Sequence, residues 1–151
     1  MRAEYVTEAV REISAAIREV RTDALITAAV FSQRPEDAKR SVGQDWLRWC
    51  QEGLVDALCP MSYVQDTTAY EQTVQMILEA VDGAVPVYAG IGVRSSSGRM
   101  NYPEELAAKL NILRRLGAPG FSMFCVTPTT DVPENILIPL RDTVLAGDGR
   151  G

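Results

Sequence analysis

The sequence predicts a mixed α/β protein, and it favours a partial (β/α)8 TIM barrel of about four βα units preceded by a helix. Four segments are nearly continuous in apolar residues, which is typical of parallel strands covered on both faces. They begin at residues 24, 55, 85 and 120, with helical patterns in the intervals. A repeat of ~30 residues fits a βα unit. The same pattern leaves one alternative open, a small open doubly wound parallel sheet.

The predicted strands follow one another with no linker between domains. They are residues 24–31, 55–61, 85–91 and 120–126. Consecutive parallel strands need crossover connections, which are right-handed in nearly all cases. Eight such units make a complete barrel of ~250 residues, so this chain would hold about half of one. We therefore predict one partial-barrel domain over residues 1–145 and a flexible tail over 146–151.

Amphipathic patterns predict helices before, between and after these strands. The first helix has apolar residues at helical spacing, which are Val6, Val10, Ile13, Ile17 and Val20. The second carries Trp46 and Trp49, neighbours on one helix face that we expect to pack in the core. Three further apolar rows predict helices over residues 70–81, 106–116 and 136–145.

Three of these helices carry a recognisable first turn. Asp45 is a good N-cap for the helix with the tryptophans, so we expect its loss to act on stability. Thr68 and Glu71 have the spacing of a capping box before the row that begins at residue 70. Pro103 suits the first turn of the next helix.

Composition and charge exclude several classes of function. The formal net charge of -5 argues against a nucleic-acid binder, and no apolar run reaches the ~20 residues of a membrane span. The chain has no histidine, which excludes Ser-His-Asp and Cys-His nucleophile systems and histidine zinc sites. Cys50, Cys59 and Cys125 lack metal-ligand spacing, and we read them as small buried hydrophobes. We expect no metal and no cofactor, and the first residues lack the apolar stretch of a secretory signal.

Function in either architecture is expected at the carboxyl ends of the strands. Tyr63 follows the second strand directly, with Gln65 and Asp66 just beyond it. An aromatic ring beside amide and carboxylate groups is suited to stacking on a sugar and bonding its hydroxyls. The alternative is a structural role, in which Tyr63 packs under a loop and Asp66 leads into a helix cap. The predicted substrate-binding residues are Met61, Tyr63, Gln65, Asp66, Gly92, Arg94 and Phe124.

Glycoside hydrolysis needs two carboxyl groups placed across the scissile bond. Asp66 and Asp131 are the acids expected at the strand ends, with Asp45 and Glu134 farther away. No spacing in the sequence fixes a separation between any two of them. Asp66 is therefore a weak catalytic candidate, and the catalytic pair remains unknown.

Several motifs, taken together and in order, resemble one family, the glycosyl-hydrolase-like family 10 domain. The resemblance spans most of the chain, from about residue 6 to 126. It rests on SVGQDWLRW at 41–49, EGLVD at 52–56, CPMSY at 59–63, VPVYAGIG at 85–92 and GFSMF at 120–124. It implies a (β/α)8 barrel of which this chain is the C-terminal half, from the helix before strand five through strand eight. It also implies a polysaccharide or cell-wall glycan as substrate.

The resemblance also implies what this chain lacks. The family's acidic strand-four motif, of the Asp-Gly-x-x-x-Asp-Tyr kind, would lie upstream of Met1. We therefore expect the chain to be the C-terminal part of a glycoside hydrolase that is inactive alone. The alternative is a non-catalytic carbohydrate-binding or scaffold module. The cellular location is unknown, and a parent acting on such glycans would be secreted or attached to the cell envelope.

Half a barrel leaves strand edges and one apolar sheet face uncovered. Exposed edges of this kind pair readily with other chains. Besides carbohydrate, the expected partners are the missing N-terminal half-barrel or a second copy of the chain. We expect the isolated chain to be dimeric or larger, or to aggregate.

Overall fold

The structure is a computed structural model that describes residues 1–93 and 101–124. Its elements are α1 (Arg2–Val20), β1 (Thr27–Phe31), α2 (Pro35–Ser41), α3 (Trp46–Gln51), β2 (Ala57–Met61), α4 (Thr67–Val81), β3 (Tyr88–Gly92), α5 (Pro103–Arg115) and β4 (Gly120–Phe124). The predicted helix over 136–145 and the predicted tail lie outside the described residues. So do Arg94, Cys125, Asp131 and Glu134.

The four strands are parallel and neighbour one another in chain order. β1 pairs with β2 from Thr27↔Ala57 to Phe31↔Met61. β3 pairs with β4 from Tyr88↔Gly120 to Gly92↔Phe124. A single bridge, Leu58↔Val87, joins the two pairs, and the Leu58 amide donates to the Pro86 carbonyl at 2.9 Å. The prediction of a mixed α/β protein with parallel strands is confirmed.

β1, β2 and β3 begin two or three residues after the start of their apolar runs. β1 begins at Thr27 rather than residue 24, because the Ala24 amide closes a turn onto the Arg21 carbonyl at 3.2 Å. The Ile26 amide is bonded by the Asp56 carboxylate at 2.8 Å instead of joining a ladder. Local turns and side chains therefore take backbone groups that the hydrophobic pattern assigned to the sheet.

Helices cover one face of the sheet in the described part of the chain. The strand residues in the two hydrophobic clusters are Val30, Leu58, Val87, Ala89 and Ile91, all on this face by the register. Residues alternate between faces along a strand, so the opposite face carries Ala29, Phe31, Met61, Tyr88 and Phe124. Phe31 and Phe124 are 46% and 57% exposed. This face is called the open face below.

α4 links the two hydrophobic clusters. It contributes Tyr70 and Val74 to the cluster formed with α5 and the β3–β4 pair. It contributes Ile77 and Val81 to the cluster formed with α3 and the β1–β2 pair. Trp46 and Trp49 lie in that second cluster, so the prediction that both indoles pack in the core is confirmed.

The predicted core face of α1 is wrong in part. Ile13 and Val20 are exposed, whereas the buried residues of the helix are Thr7 and Ser14. The Trp49 indole donates to Thr7 Oγ1 at 2.9 Å, and Ser14 Oγ donates to the Leu54 carbonyl at 2.7 Å. α1 therefore turns Thr7 and Ser14 toward the protein, because the surface that it covers presents the Trp49 indole N–H and the Leu54 carbonyl.

Two predicted helix caps need correction. Asp45 occupies the N-cap position of α3 but makes no side-chain cap bond; its carboxylate pairs with Lys39 Nζ at 2.9 Å. This bond raises the pKa of Lys39. α4 begins at Thr67, not after Thr68, because Asp66 accepts a hydrogen bond from the Ala69 amide at 2.7 Å. The expected capping box at Thr68 is therefore absent.

Replacing Thr7 by valine should destabilise the fold. The substitution keeps the shape but leaves the buried Trp49 indole N–H without its acceptor, which costs about 1–3 kcal/mol. Urea unfolding measures the effect, and Thr68→Val at an exposed site is the matched control. A loss no larger than that of the control would show that the hydrogen bond does not hold α1 on α3.

Replacing Asp56 by asparagine should flatten the acid limb of the stability profile. Its carboxylate accepts from the Ile26 amide and from Arg18 Nη2, and these bonds lower its pKa. The stabilisation is therefore complete above the unfolded-state pKa of ~3.9 and is lost as pH falls through the lower folded-state pKa. Across this pH range, the urea midpoint should change less with pH in Asp56→Asn than in Asp82→Asn, a substitution at an exposed site. An equal pH dependence in the two variants would show that the Asp56 carboxylate does not stabilise the fold.

Candidate functional site

An aromatic pair lies at the carboxyl edge of the sheet. The rings of Tyr63, just after β2, and Phe124, at the end of β4, stack with centroids 5.1 Å apart and planes at 17°. β3 lies between β2 and β4, so the pair spans its carboxyl end. Met61 ends β2 on the open face, in register with Phe31. The structure thus brings two of the predicted site residues, Tyr63 and Phe124, into contact at this edge.

The Tyr63 ring packs where a side chain on Gly90 would lie. A Cβ on Gly90 would lie 2.6 Å from the Pro60 carbonyl oxygen and 2.9 Å from Tyr63 Cε1. Both distances are shorter than real Cβ contacts, so any side chain here would displace the β2 backbone or the ring. The CPMSY and VPVYAGIG segments therefore meet at a glycine.

A buried lysine holds the loop that carries Tyr63. Lys109 of α5 is fully buried, and its Nζ donates to the Val64 carbonyl at 2.7 Å. The same Nζ lies 5.5 Å from the centroid of the Tyr70 ring. Burial lowers the pKa of Lys109, against a smaller opposing effect of Glu105.

Sequence reasoning missed Lys109, although a signal was present. The residue falls three positions after Leu106 and four before Leu113, within the apolar row of its helix. A lysine within an apolar row is favourable only when its charge finds acceptors, because an unpaired buried charge is costly.

Asp66 is exposed and serves as the cap of α4. In the described loops that follow β1, β2 and β3, residues 32–34, 62–66 and 93, it is the only carboxylate. One Asp66 oxygen bonds the Ala69 amide, which leaves the other available to a ligand hydroxyl. These loops therefore offer polar binding groups but no carboxylate pair of the kind that hydrolysis requires.

The end of β3 is fixed by a second buried polar side chain. Asn101 Nδ2 donates to the Gly92 carbonyl at 2.6 Å, and the Asn101 amide donates to the Val93 carbonyl at 2.8 Å. The Val93 amide in turn donates to the Phe124 carbonyl at 2.8 Å. Gly92 is thus the last residue of β3, with its carbonyl held by Asn101. Arg94, also predicted at the site, lies outside the described residues.

The two described cysteines, Cys50 and Cys59, have thiols of raised pKa. Burial raises the pKa of Cys50 to about 11, and it also raises the pKa of half-buried Cys59. Both are free thiols. Residues 1–93 and 101–124 contain no group of three or more potential metal ligands. None of the helices described is long and apolar enough to cross a membrane.

The fold is similar to part of one solved structure. Neither family models nor curated proteins match the sequence. Among solved structures, bee venom hyaluronidase matches with a TM-score of 0.62 and 14% sequence identity, over 86% of this chain and 52% of that chain. This chain thus spans about half the length of the hyaluronidase. The likeness shows that this chain shares the fold of part of that structure.

Replacing Gly90 by alanine should disturb the aromatic pair. The methyl group would overlap the Pro60 carbonyl and the Tyr63 ring, at a cost of about 1–3 kcal/mol. Gly83→Ala is the control for destabilisation without overlap. An alanine at Gly83 is strained by the backbone φ of +74°, but no atom lies within 4 Å of the position that its Cβ would take. Aromatic NMR shifts of Phe124 should move in Gly90→Ala alone. Unchanged Phe124 shifts would contradict the role given to Gly90.

Proposed function

We propose that this chain is the C-terminal part of a glycoside hydrolase barrel and that its carboxyl edge binds a glycan. The stacked Tyr63–Phe124 pair at that edge is the observation that carries the proposal. Aromatic faces at binding sites contribute large apolar contact area with a defined orientation. The glycan class proposed is a polysaccharide or a cell-wall glycan.

Strand order and helix coverage support the partial barrel. The strands neighbour one another in chain order, whereas a doubly wound sheet reverses its order at a switch point. The two hydrophobic clusters of the described chain lie on one face, as in a barrel wall with its helices outside. The fold likeness to the hyaluronidase agrees with both features.

The contact at Gly90 supports kinship with the glycosyl-hydrolase-like family 10 domain. Two motifs that carry the resemblance, around Pro60–Tyr63 and around Gly90, meet there with almost no free space. The two motifs, which are separated in the sequence, therefore pack against each other in the fold.

The proposed binding mode uses the described residues in three ways. Tyr63 and Phe124 offer ring faces and edges to a sugar ring, and Met61 extends this apolar surface along the open face. Gln65 and the unbonded oxygen of Asp66 are proposed to bond hydroxyls. Gly92 keeps the backbone close to the ligand, and Arg94 is proposed to complete the rim.

The chain is proposed to be inactive alone. The described loops hold one carboxylate where a glycosidase needs two, so the principal acids are assigned to the half of the barrel that precedes this chain in the parent protein. Asp66 would then orient the glycan rather than transfer a proton.

A non-catalytic binding module is the second candidate. In the described loops after β1, β2 and β3, Asp66 is the only carboxylate, and glycan binding, unlike hydrolysis, needs no carboxylate pair. The two candidates differ in the turnover expected when the chain is extended upstream. The hydrolase part should then become active, whereas a binding module should remain inactive at any length.

Replacing Tyr63 by alanine should weaken glycan binding by ~1–3 kcal/mol, the value of one well-packed aromatic contact. Calorimetric titration with hyaluronan and cell-wall oligosaccharides measures the affinity. Tyr63→Phe is the matched control, because it keeps the ring and should retain affinity. Tyr5→Ala, at an exposed tyrosine on α1, should leave binding unchanged.

Three outcomes separate the possibilities. If Tyr63→Ala weakens glycan binding and only an upstream-extended chain shows turnover, the proposal of a hydrolase part is supported. If Asp66→Asn still binds the glycan and neither the 151-residue chain nor the extended chain shows turnover, the binding module is supported. Unchanged affinity and unchanged stability in Tyr63→Ala would remove this edge from glycan binding altogether.

A further inference from the structure

α1 exposes part of its apolar surface. Tyr5, Ile13 and Val20 are 72%, 59% and 82% exposed, whereas the buried residues of the helix are Thr7 and Ser14. Val6 and Val10 are partly buried against a core cluster, so one part of the apolar side faces the core and another part faces solvent. An ordinary amphipathic surface helix turns its apolar stripe toward the core.

The exposed apolar residues form one continuous stripe. Tyr5, Ala9, Ile13, Ala16 and Val20 are all exposed and are separated by four, four, three and four residues, which places them on one helix face. The stripe runs from the first turn to the last over ~22 Å at 1.5 Å per residue. The alternation of large and alanine side chains provides the knobs and spaces that a second helix needs. We call this surface the α1 stripe.

Charge on one border of the α1 stripe restricts the partner. Glu8, Glu12 and Glu19 lie along this border, each three or four residues from a stripe position. Glu8 pairs with Arg11 of the same helix. Within the described residues, Glu12 and Glu19 have no ion-pair partner and remain exposed.

We propose that the α1 stripe is a docking surface for an amphipathic helix whose apolar row is flanked by lysine or arginine. A basic flank would face Glu12 and Glu19 across the interface and complement their charge. A second copy of this chain is disfavoured, because a two-fold antiparallel pair of α1 helices would bring each acidic border against its counterpart. The proposal does not depend on glycan binding, since α1 contributes no residue to the candidate site.

Two synthetic helical peptides test the proposal on the full 151-residue chain. They share one apolar row and differ only in flanks, lysine in one and glutamate in the other. The lysine-flanked peptide should bind about tenfold or more tightly than the glutamate-flanked one, and added salt should narrow the difference. Fluorescence anisotropy of the labelled peptides measures both affinities.

Substitutions on α1 locate the binding. Ile13→Asp should lower the affinity about tenfold or more, whereas Ala15→Asp, exposed but off the stripe, should not. The double variant Glu12→Lys and Glu19→Lys should reverse the preference between the two peptides. Circular dichroism confirms that each variant keeps the helix content of the parent chain.

The results that overturn the proposal are equally definite. Equal affinity for both peptides, or no binding of the lysine-flanked peptide up to about 1 mM, would exclude a basic-flanked helix. A self-association of the chain that Ile13→Asp abolishes would assign the stripe to a second copy instead. Preference reversal by the double charge variant is the result that only the proposed partner chemistry gives.

Discussion

The junction between β2 and β3 is the constraint on which the rest of the molecule depends. Only the bridge Leu58↔Val87 pairs these strands in the described residues, so backbone bonding alone holds the two halves weakly. α4 compensates by packing Tyr70 and Val74 into one cluster and Ile77 and Val81 into the other. The two strand pairs therefore stay aligned mainly because one helix is buried against both.

That junction also shapes the carboxyl edge. Beyond the bridge, β2 and β3 approach each other at Gly90, where the Pro60 carbonyl and the Tyr63 ring occupy the space of a side chain. Lys109 then draws the following loop toward α5 through the Val64 carbonyl. The position of Tyr63 over the end of β3 is thus set by a glycine on one side and a buried charge on the other.

The sequence was a good guide wherever a feature is local. Continuous apolar runs indicated parallel strands, Pro103 indicated the start of α5, and the spacing of Trp46 and Trp49 indicated a buried face. It was a poor guide wherever a tertiary partner decides. The rotation of α1 depends on the Trp49 indole and the Leu54 carbonyl, which hydrophobic periodicity does not register.

The candidate site shows the same division. Tyr63, Met61 and Phe124 could be placed at one edge because parallel strands end together, but the stacking of the two rings depends on the path of the loop after β2. Asp66 and Thr68 are both good caps by residue type, and the choice between them is made by the start of α4. Lys109 was missed because its acceptor lies 45 residues away along the chain.

The attachment of α1 has a consequence for how the protein opens. The helix is held by hydroxyl bonds from Thr7 and Ser14 and by ion pairs such as Arg11–Glu52 and Arg48–Glu4, with Val6 and Val10 only partly buried beneath it. Such surface pairs weaken in salt, while the clusters around α4 do not depend on them. We therefore expect α1 to open as a separate cooperative unit, with its amide hydrogens exchanging through detachment of the helix at a free energy below that of global unfolding.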